Sequence, residues 1–102
     1  MAKVERESSI EHYFNAQVKA HGGETRKHKG RTNDPDRIVI WPAYYAGDVA
    51  SVHFVELKRP RKKPRSGQAR ELKRLSDMGC VALYLDTRDR IDAYVKGWSR
   101  CA

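Results

Sequence analysis

The stretch 51–65, SVHFVELKRPRKKPR, changes character partway along, and the fold is read outward from that change. In an extended strand successive side chains alternate between faces. SVHFVELK therefore puts Val52, Phe54, Glu56 and Lys58 on one side and His53, Val55 and Leu57 on the other. Both sides are apolar for most of its length, which predicts a strand at the centre of a sheet. The end breaks the pattern by placing a carboxylate and an ammonium on one face, Glu56 two positions before Lys58. Glu-x-Lys is common on exposed strands, where it means little. On a strand apolar on both faces, burying these charges without a purpose is costly.

The segment that follows is strongly cationic. From Glu56 to Arg74, nine Lys/Arg stand against two Glu, which is +7 of the net +8 of the whole chain. With an isoelectric point near 9.8, a polyanionic partner is expected. A solvated loop would explain scattered charges. Their concentration beside Glu56 and Lys58 is better explained by phosphate neutralisation.

The 102 residues suffice for one domain, 1–102, around one core. At 39% hydrophobic and 33% charged, the chain is globular rather than disordered in composition. No apolar run nears the roughly 20 residues that span a bilayer. The start, MAKVERESSI, lacks a signal-peptide core, so no membrane contact and a cytoplasmic location are expected. Cys80 opens an apolar strand and is expected as a buried thiol, while Cys101 lies in a frayed C-terminus. Their spacing suits neither a metal site nor a disulfide framework.

Residues 8–21 carry Ile10, Phe14 and Val18 at four-residue spacing, an amphipathic helix stopped by Gly22 and Gly23. ETRKHK is polar on both faces and predicts an edge strand, GRTNDPD is turn chemistry, and RIVIW is a strand ended by Pro42. Gly47-Asp48 is expected as a hairpin turn into the strand at 51. After the basic loop, SGQARELKRLSDMG predicts a helix with Ser66 as N-cap, Ala69, Leu72 and Leu75 inward and Gly79 at its end. CVALYL lacks polar alternation and is expected inside the sheet. The last helix turns Ile91, Tyr94, Val95 and Trp98 inward. The order α-β-β-β-α-β-α predicts an α/β fold, a mixed central sheet flanked by helices. The helical crossover between residues 58 and 80 should make the strands it joins parallel neighbours.

If the strands at 37 and 51 form an antiparallel meander, Asp36 at the start of one meets Glu56 at the end of the other. Two close carboxylates repel unless a cation joins them, and an all-oxygen pair suits a hard ion such as Mg²⁺ or Mn²⁺. Lys58, on the same face as Glu56, would then hold or deprotonate a water and stabilise charge on a phosphate. Each residue also has a plain structural reading. Asp36 follows Pro35 as a turn residue would, and Gln68 sits in the first turn of a helix. Glu11 either closes a capping box with Ser8 or points inward beside Phe14 and Val18.

In combination, a helix Glu, Pro-Asp, Glu-x-Lys on the next strand and a Gln opening a helix resemble the PD-(D/E)xK nuclease superfamily. The closer similarity is to its VRR-NUC branch of small stand-alone, phage-type nucleases. ESSIEHYFNAQVKAHGG resembles that family's opening helix, PDRIVIWP its Pro-Asp strand, HFVELKRP its Glu-x-Lys strand and RELKRLSDMG the helix that follows. The similarity runs over roughly residues 5–95. It implies a restriction-endonuclease-like core and a metal-dependent DNA nuclease. Asp36, Glu56 and the Leu57 backbone carbonyl would bind Mg²⁺ or Mn²⁺, and Lys58 would act on the attacking water. Glu11 would assist from the first helix, with Glu7 one turn earlier as the other candidate, and Gln68 would position the site. The resemblance further implies branched DNA, such as four-way junctions, cut by a homodimer in a bacterial or phage-infected cell. Phosphates would be gripped by Arg26, Lys27, Lys29 and Arg31 on one side and by Arg59, Arg61, Lys62, Lys63 and Arg65 on the other. Two departures stand out: Asn33-Asp34 replaces a small or apolar pair before Pro-Asp, and Ser66-Gly67 replaces a Leu or Ser and Pro before Gln68. The first brings a third carboxylate toward the metal or leaves it facing solvent. A sequence-specific restriction-type nuclease and a non-catalytic nucleic-acid-binding protein are the alternative readings.

Overall fold

The computed structural model describes residues 5–100, so the expectation for Cys101 lies outside the described residues. The elements follow in the expected order: α1 (Glu7–Ala20), β1 (Glu24–Lys27), β2 (Arg37–Trp41), β3 (Ser51–Leu57), α2 (Ser66–Asp77), β4 (Val81–Leu85) and α3 (Arg88–Trp98). The sheet order is β1-β2-β3-β4, antiparallel across the first two pairings and parallel between β3 and β4. The chain is thus an α/β domain with a mixed sheet.

Residues directly opposed in a ladder share a face, so the register sorts the side chains. Val39 opposes His53, Arg37 opposes Val55, and Leu57 opposes Leu85. These join Trp41 on the face covered by α1 and α3, where Ile10, Phe14 and Val18 meet Ile91, Tyr94 and Val95 in the main core. The other face is only partly covered: α2 packs on β4, and Val52 is about half exposed. Glu56 lies on this second face, at the end of the central strand.

Helices α1 and α2 end alike. Gly22 and Gly79 take the left-handed conformation, φ 88° and 96°. The next residues, Gly23 and Cys80, donate back to the carbonyls of Val18 and Leu75 at 2.9 and 3.0 Å. Both are Schellman ends, which satisfy carbonyls left open by the last helical turn.

Several expectations are corrected. β4 forms the edge of the sheet rather than its interior; it is apolar because α2 covers one of its faces and Leu85 enters the core on the other. Helix α1 is already under way at Ser8, with Arg6 at its N-cap, so the Ser8–Glu11 capping box does not form. Helix α2 starts at Ser66 itself, and Gln68, not Ala69, takes the inward position beside Leu72. Residues 42–50 are a longer connection in which Asp48 N–H bonds the Tyr45 carbonyl around Gly47, φ 93°. Cys80 is half-buried rather than buried.

Core packing also buries a histidine. Trp41 Nε1–H donates to Tyr94 Oη at 3.1 Å, and the same hydroxyl pairs with His53 Nδ1 at 2.6 Å. His53 Nε2 is buried with no partner among the described residues, which favours a neutral ring. The ring is fully buried, edge-on to Trp98 at 4.2 Å between centroids. Burial first, and the Arg100 charge second, push its pKa down to about 4. The folded state therefore holds His53 neutral where the unfolded chain, near pKa 6.5, would protonate it. Stability from this group is complete above pH 6.5 and is lost as pH falls toward 4. In urea unfolding His53 should contribute about 2 kcal/mol less stability at pH 5 than at pH 7.5. His53→Phe, less stable at neutral pH, should lose that part of the slope; an unchanged slope would refute the buried neutral imidazole.

Candidate active site

The antiparallel register of β2 and β3 brings Asp36, one residue before β2, opposite Glu56. Two hydrogen bonds lock the crossing: Asp36 N–H donates to Glu56 Oε1 at 3.2 Å, and Leu57 N–H donates to Asp36 Oδ1 at 3.3 Å. Each carboxylate is thus held by the backbone of the other's strand. In a strand the N–H and C=O of one residue point to the same side, so the Leu57 carbonyl lies on the Asp36 side as well. Lys58 N–H bonds the Leu85 carbonyl at 3.0 Å, which extends the β3–β4 ladder past the carboxylate. The Lys58 ammonium reaches Glu56 Oε2 at 3.3 Å.

Gln68 completes the ring around Glu56. Its Oε1 accepts from Arg65 N–H at 3.0 Å, which fixes the amide's orientation and leaves Nε2 to donate to Glu56 Oε2 at 3.2 Å. The departure Ser66-Gly67 does not disturb this first turn. Gly67 in fact allows a close approach, since a side chain there would meet the Asn33 amide.

Both carboxyl groups are held above their ordinary range. For Glu56, 4% exposed, burial is the main cause and the Asp36 charge the next, with Lys58 pulling the other way. For Asp36, burial dominates against the Leu57 hydrogen bond, and Glu11 and then Glu7 add repulsion. The half-buried Lys58 ammonium and the Arg37 guanidinium do not fully offset this negative charge. Asp36, Glu56 and the Leu57 carbonyl form an all-oxygen donor set whose repulsion a hard divalent cation would relieve, so the residues fit Mg²⁺ or Mn²⁺. Among the described residues, no group of three or more His, Cys, Asp and Glu side chains converges on a possible metal position. The fit therefore rests on two side chains and a backbone oxygen.

The helix carboxylates stand farther out. Glu11 is half-buried and lies 4.0 Å from the Arg37 guanidinium; Glu7 is exposed. Asp34 is used elsewhere. Its side chain accepts from Arg31 N–H at 2.7 Å and faces His28 at 3.8 Å, closing the loop before β2. It is not among the charges that raise Asp36. Arg37 is a site neighbour that the sequence reading missed: a cation on the buried face of RIVIW was the signal for it.

Of the first basic segment, Arg26 is held by Glu24 at 2.7 Å, and Arg31 lies near Asp34 and Glu71, at 3.7 and 3.5 Å. Lys27 and Lys29 are exposed. In the second segment Arg59, Arg61, Lys62, Lys63 and Arg65 are exposed, and no carboxylate of the described residues pairs with them. Lys62 N–H closes a turn on the Arg59 carbonyl at 3.0 Å. Pro60 stands at its second position and Arg61, φ 68°, at its third, where a type II turn favours glycine. A cation is thus kept where glycine would be less strained.

No family model matches the chain. It is 37% identical over 86 residues to "Putative nuclease p44" of Acyrthosiphon pisum secondary endosymbiont phage 1, covering 82% of this chain and 86% of that protein. A solved structure described as a VRR_NUC domain superposes with a TM-score of 0.74 at 27% identity, covering 90% of this chain and 96% of that one.

Because both carboxylates are raised, their ionised forms oppose folding at neutral pH, and the penalty fades as pH falls through their titration. Asp36→Asn keeps the acceptor for Leu57 N–H and removes the repulsion. In metal-free buffer it should melt above the wild type at pH 7.5, by an amount that shrinks toward pH 4. Calorimetry showing a lower melting temperature at pH 7.5 would contradict this electrostatic account.

Proposed function

The chain belongs to the VRR-NUC nuclease family, and from its crossed carboxylates we propose a DNA endonuclease that hydrolyses phosphodiester bonds with a bound divalent metal, Mg²⁺ or Mn²⁺. The observation that carries this reading is the reciprocal pair of hydrogen bonds holding Asp36 and Glu56 together despite their mutual repulsion. Lys58 pairs with Glu56, and no such contact within 4 Å is made to Asp36 by a cation of the described residues. A divalent ion at Asp36, Glu56 and the Leu57 carbonyl would supply charge that polarises the phosphate and acidifies a water.

Lys58, anchored by the β3–β4 ladder and by Glu56, would position the attacking water and meet the charge that develops on the phosphate. Gln68 keeps Glu56 in place and turned toward Asp36. Glu11 would assist from α1, and is the better candidate than Glu7 because it acts more strongly on Asp36. The unpaired cations of 59–65 follow directly from Lys58, so a strand bound by them passes the carboxylates. Backbone contacts carry little sequence information, which favours DNA shape over sequence. Branched DNA and a homodimer cutting opposed strands are part of this proposal.

Purified protein with Mg²⁺ or Mn²⁺ and labelled junction, flap and linear duplex should cut the junction fastest. No cleavage of any substrate in either metal would defeat the enzyme reading, and discrete fragments from unbranched duplex would favour a site-specific nuclease. Glu56→Ala should abolish cleavage yet retain binding; normal cutting by this variant would remove Glu56 from the site. Arg61→Gly should be at least as stable as the wild type, within about 1 kcal/mol, because strain relief offsets the entropy gained by the unfolded chain. It should also bind duplex more weakly and with a shallower salt dependence. An unchanged salt slope would exclude Arg61 from the phosphate grip.

A further inference from the structure

Behind the carboxylate edge, on the face where α1 crosses β1 and β2, lies a cavity of about 520 Å³ lined by Asn15, Lys19, Gly23, Glu24, Thr25 and Arg37. Arg37 is only 7% exposed. Its guanidinium has five N–H donors, of which one is used well: Nη2 donates to Asn15 Oδ1 at 2.5 Å. Glu11 is 4.0 Å from Nη1, too far for a hydrogen bond. The Nε–H is buried and has no partner among the described residues, and the same holds for the Thr25 hydroxyl. Thr25 opposes Val39, so it is a diagonal neighbour of Arg37 on the same face of the sheet. Glu11 at 4.0 Å offsets part of the charge but accepts no hydrogen bond from it, so the buried Nε–H still lacks an acceptor.

The lining is biased toward donors. Asn15 turns its oxygen to Arg37, which leaves its amide N–H groups free to donate. Lys19 is an exposed ammonium at the rim, and the Glu24 carboxylate is engaged by Arg26 at 2.7 Å. A guanidinium, a hydroxyl, an amide and an ammonium around one cavity select an anion over a cation. We infer that this cavity is a phosphate subsite built on Arg37, taking a phosphate of a nucleic-acid strand that rounds the end of the sheet from Asp36 on the other face. The nucleic-acid source rests on the proposed function; the anion chemistry does not.

The Arg37 Nε–Hε resonance reports on the orphaned donor itself. The full chain in metal-free chloride buffer of constant ionic strength would be titrated separately with inorganic phosphate, with the dinucleotide dTpdT and with its 5′-phosphorylated form. The Arg37 Hε signal should move saturably with a phosphate-bearing probe, and one of the dinucleotides should bind more tightly than inorganic phosphate. Thr25→Val, which keeps the side chain's shape, should weaken that binding about fivefold, the worth of one hydrogen bond. If inorganic phosphate binds as well as both dinucleotides, the site takes free phosphate and the nucleic-acid assignment falls. No saturable Hε shift with any probe, or the same affinity in Thr25→Val, would overturn the subsite. Because no metal is present and no cleavage is read, failure here leaves the nuclease proposal intact. Equally, a protein that cuts nothing can still bind phosphate at Arg37.

Discussion

Two carboxylates held together against their own repulsion organise this molecule. Asp36 and Glu56 belong to different strands, and the β2–β3 register brings them face to face. Each accepts a hydrogen bond from the backbone of the other's strand, so neither can turn away without breaking one of these bonds. The neighbouring elements are arranged around this conflict: Lys58 lies against Glu56, Gln68 arrives from α2 with its amide already oriented, and Arg37 moderates Asp36. Burial nevertheless leaves both groups with raised pKa values. A site that keeps unfavourable charge in place at such cost is poised to receive a cation.

The distribution of basic groups fits that picture. Where a carboxylate is near, as for Arg26 and Arg31, cations serve the loops and the edge strand. Directly after Lys58 they have no carboxylate partner among the described residues, and Arg61 occupies a backbone conformation better suited to glycine. Local strain kept in a charged turn beside the candidate active-site strand points to a role for the side chain rather than for the turn. The contrast between Arg26 and Arg31 and the cations of 59–65 separates paired from unpaired charge more sharply than composition does.

Much of the architecture was legible in the sequence because its signals are local. The four-residue spacing of Ile10, Phe14 and Val18, the helix-stopping Gly22 and Gly79, and the two-sided apolar β3 each carried their own evidence. The meeting of Asp36 and Glu56 followed from the assumed meander. What escaped depends on the surroundings. β4 looks interior because face burial and edge position are independent properties, and only the sheet order distinguishes them. Ser8 and Ser66 have the composition of N-caps, yet both helices begin one or more residues earlier than that assignment requires. Asp34, which the sequence leaves open between the metal and solvent, bonds within its own loop. His53 and Arg37 read as members of apolar strands, and their chemistry comes from Tyr94, Trp98, Asn15 and Glu11, residues distant in sequence.

The central claim is that the Asp36–Glu56 edge binds a divalent cation. Anomalous diffraction from crystals soaked in Mn²⁺ tests it most directly. The account predicts a strong manganese peak in contact with both carboxylates and the Leu57 carbonyl. A peak confined to another position, or no peak at all with both carboxylates ionised, would contradict it.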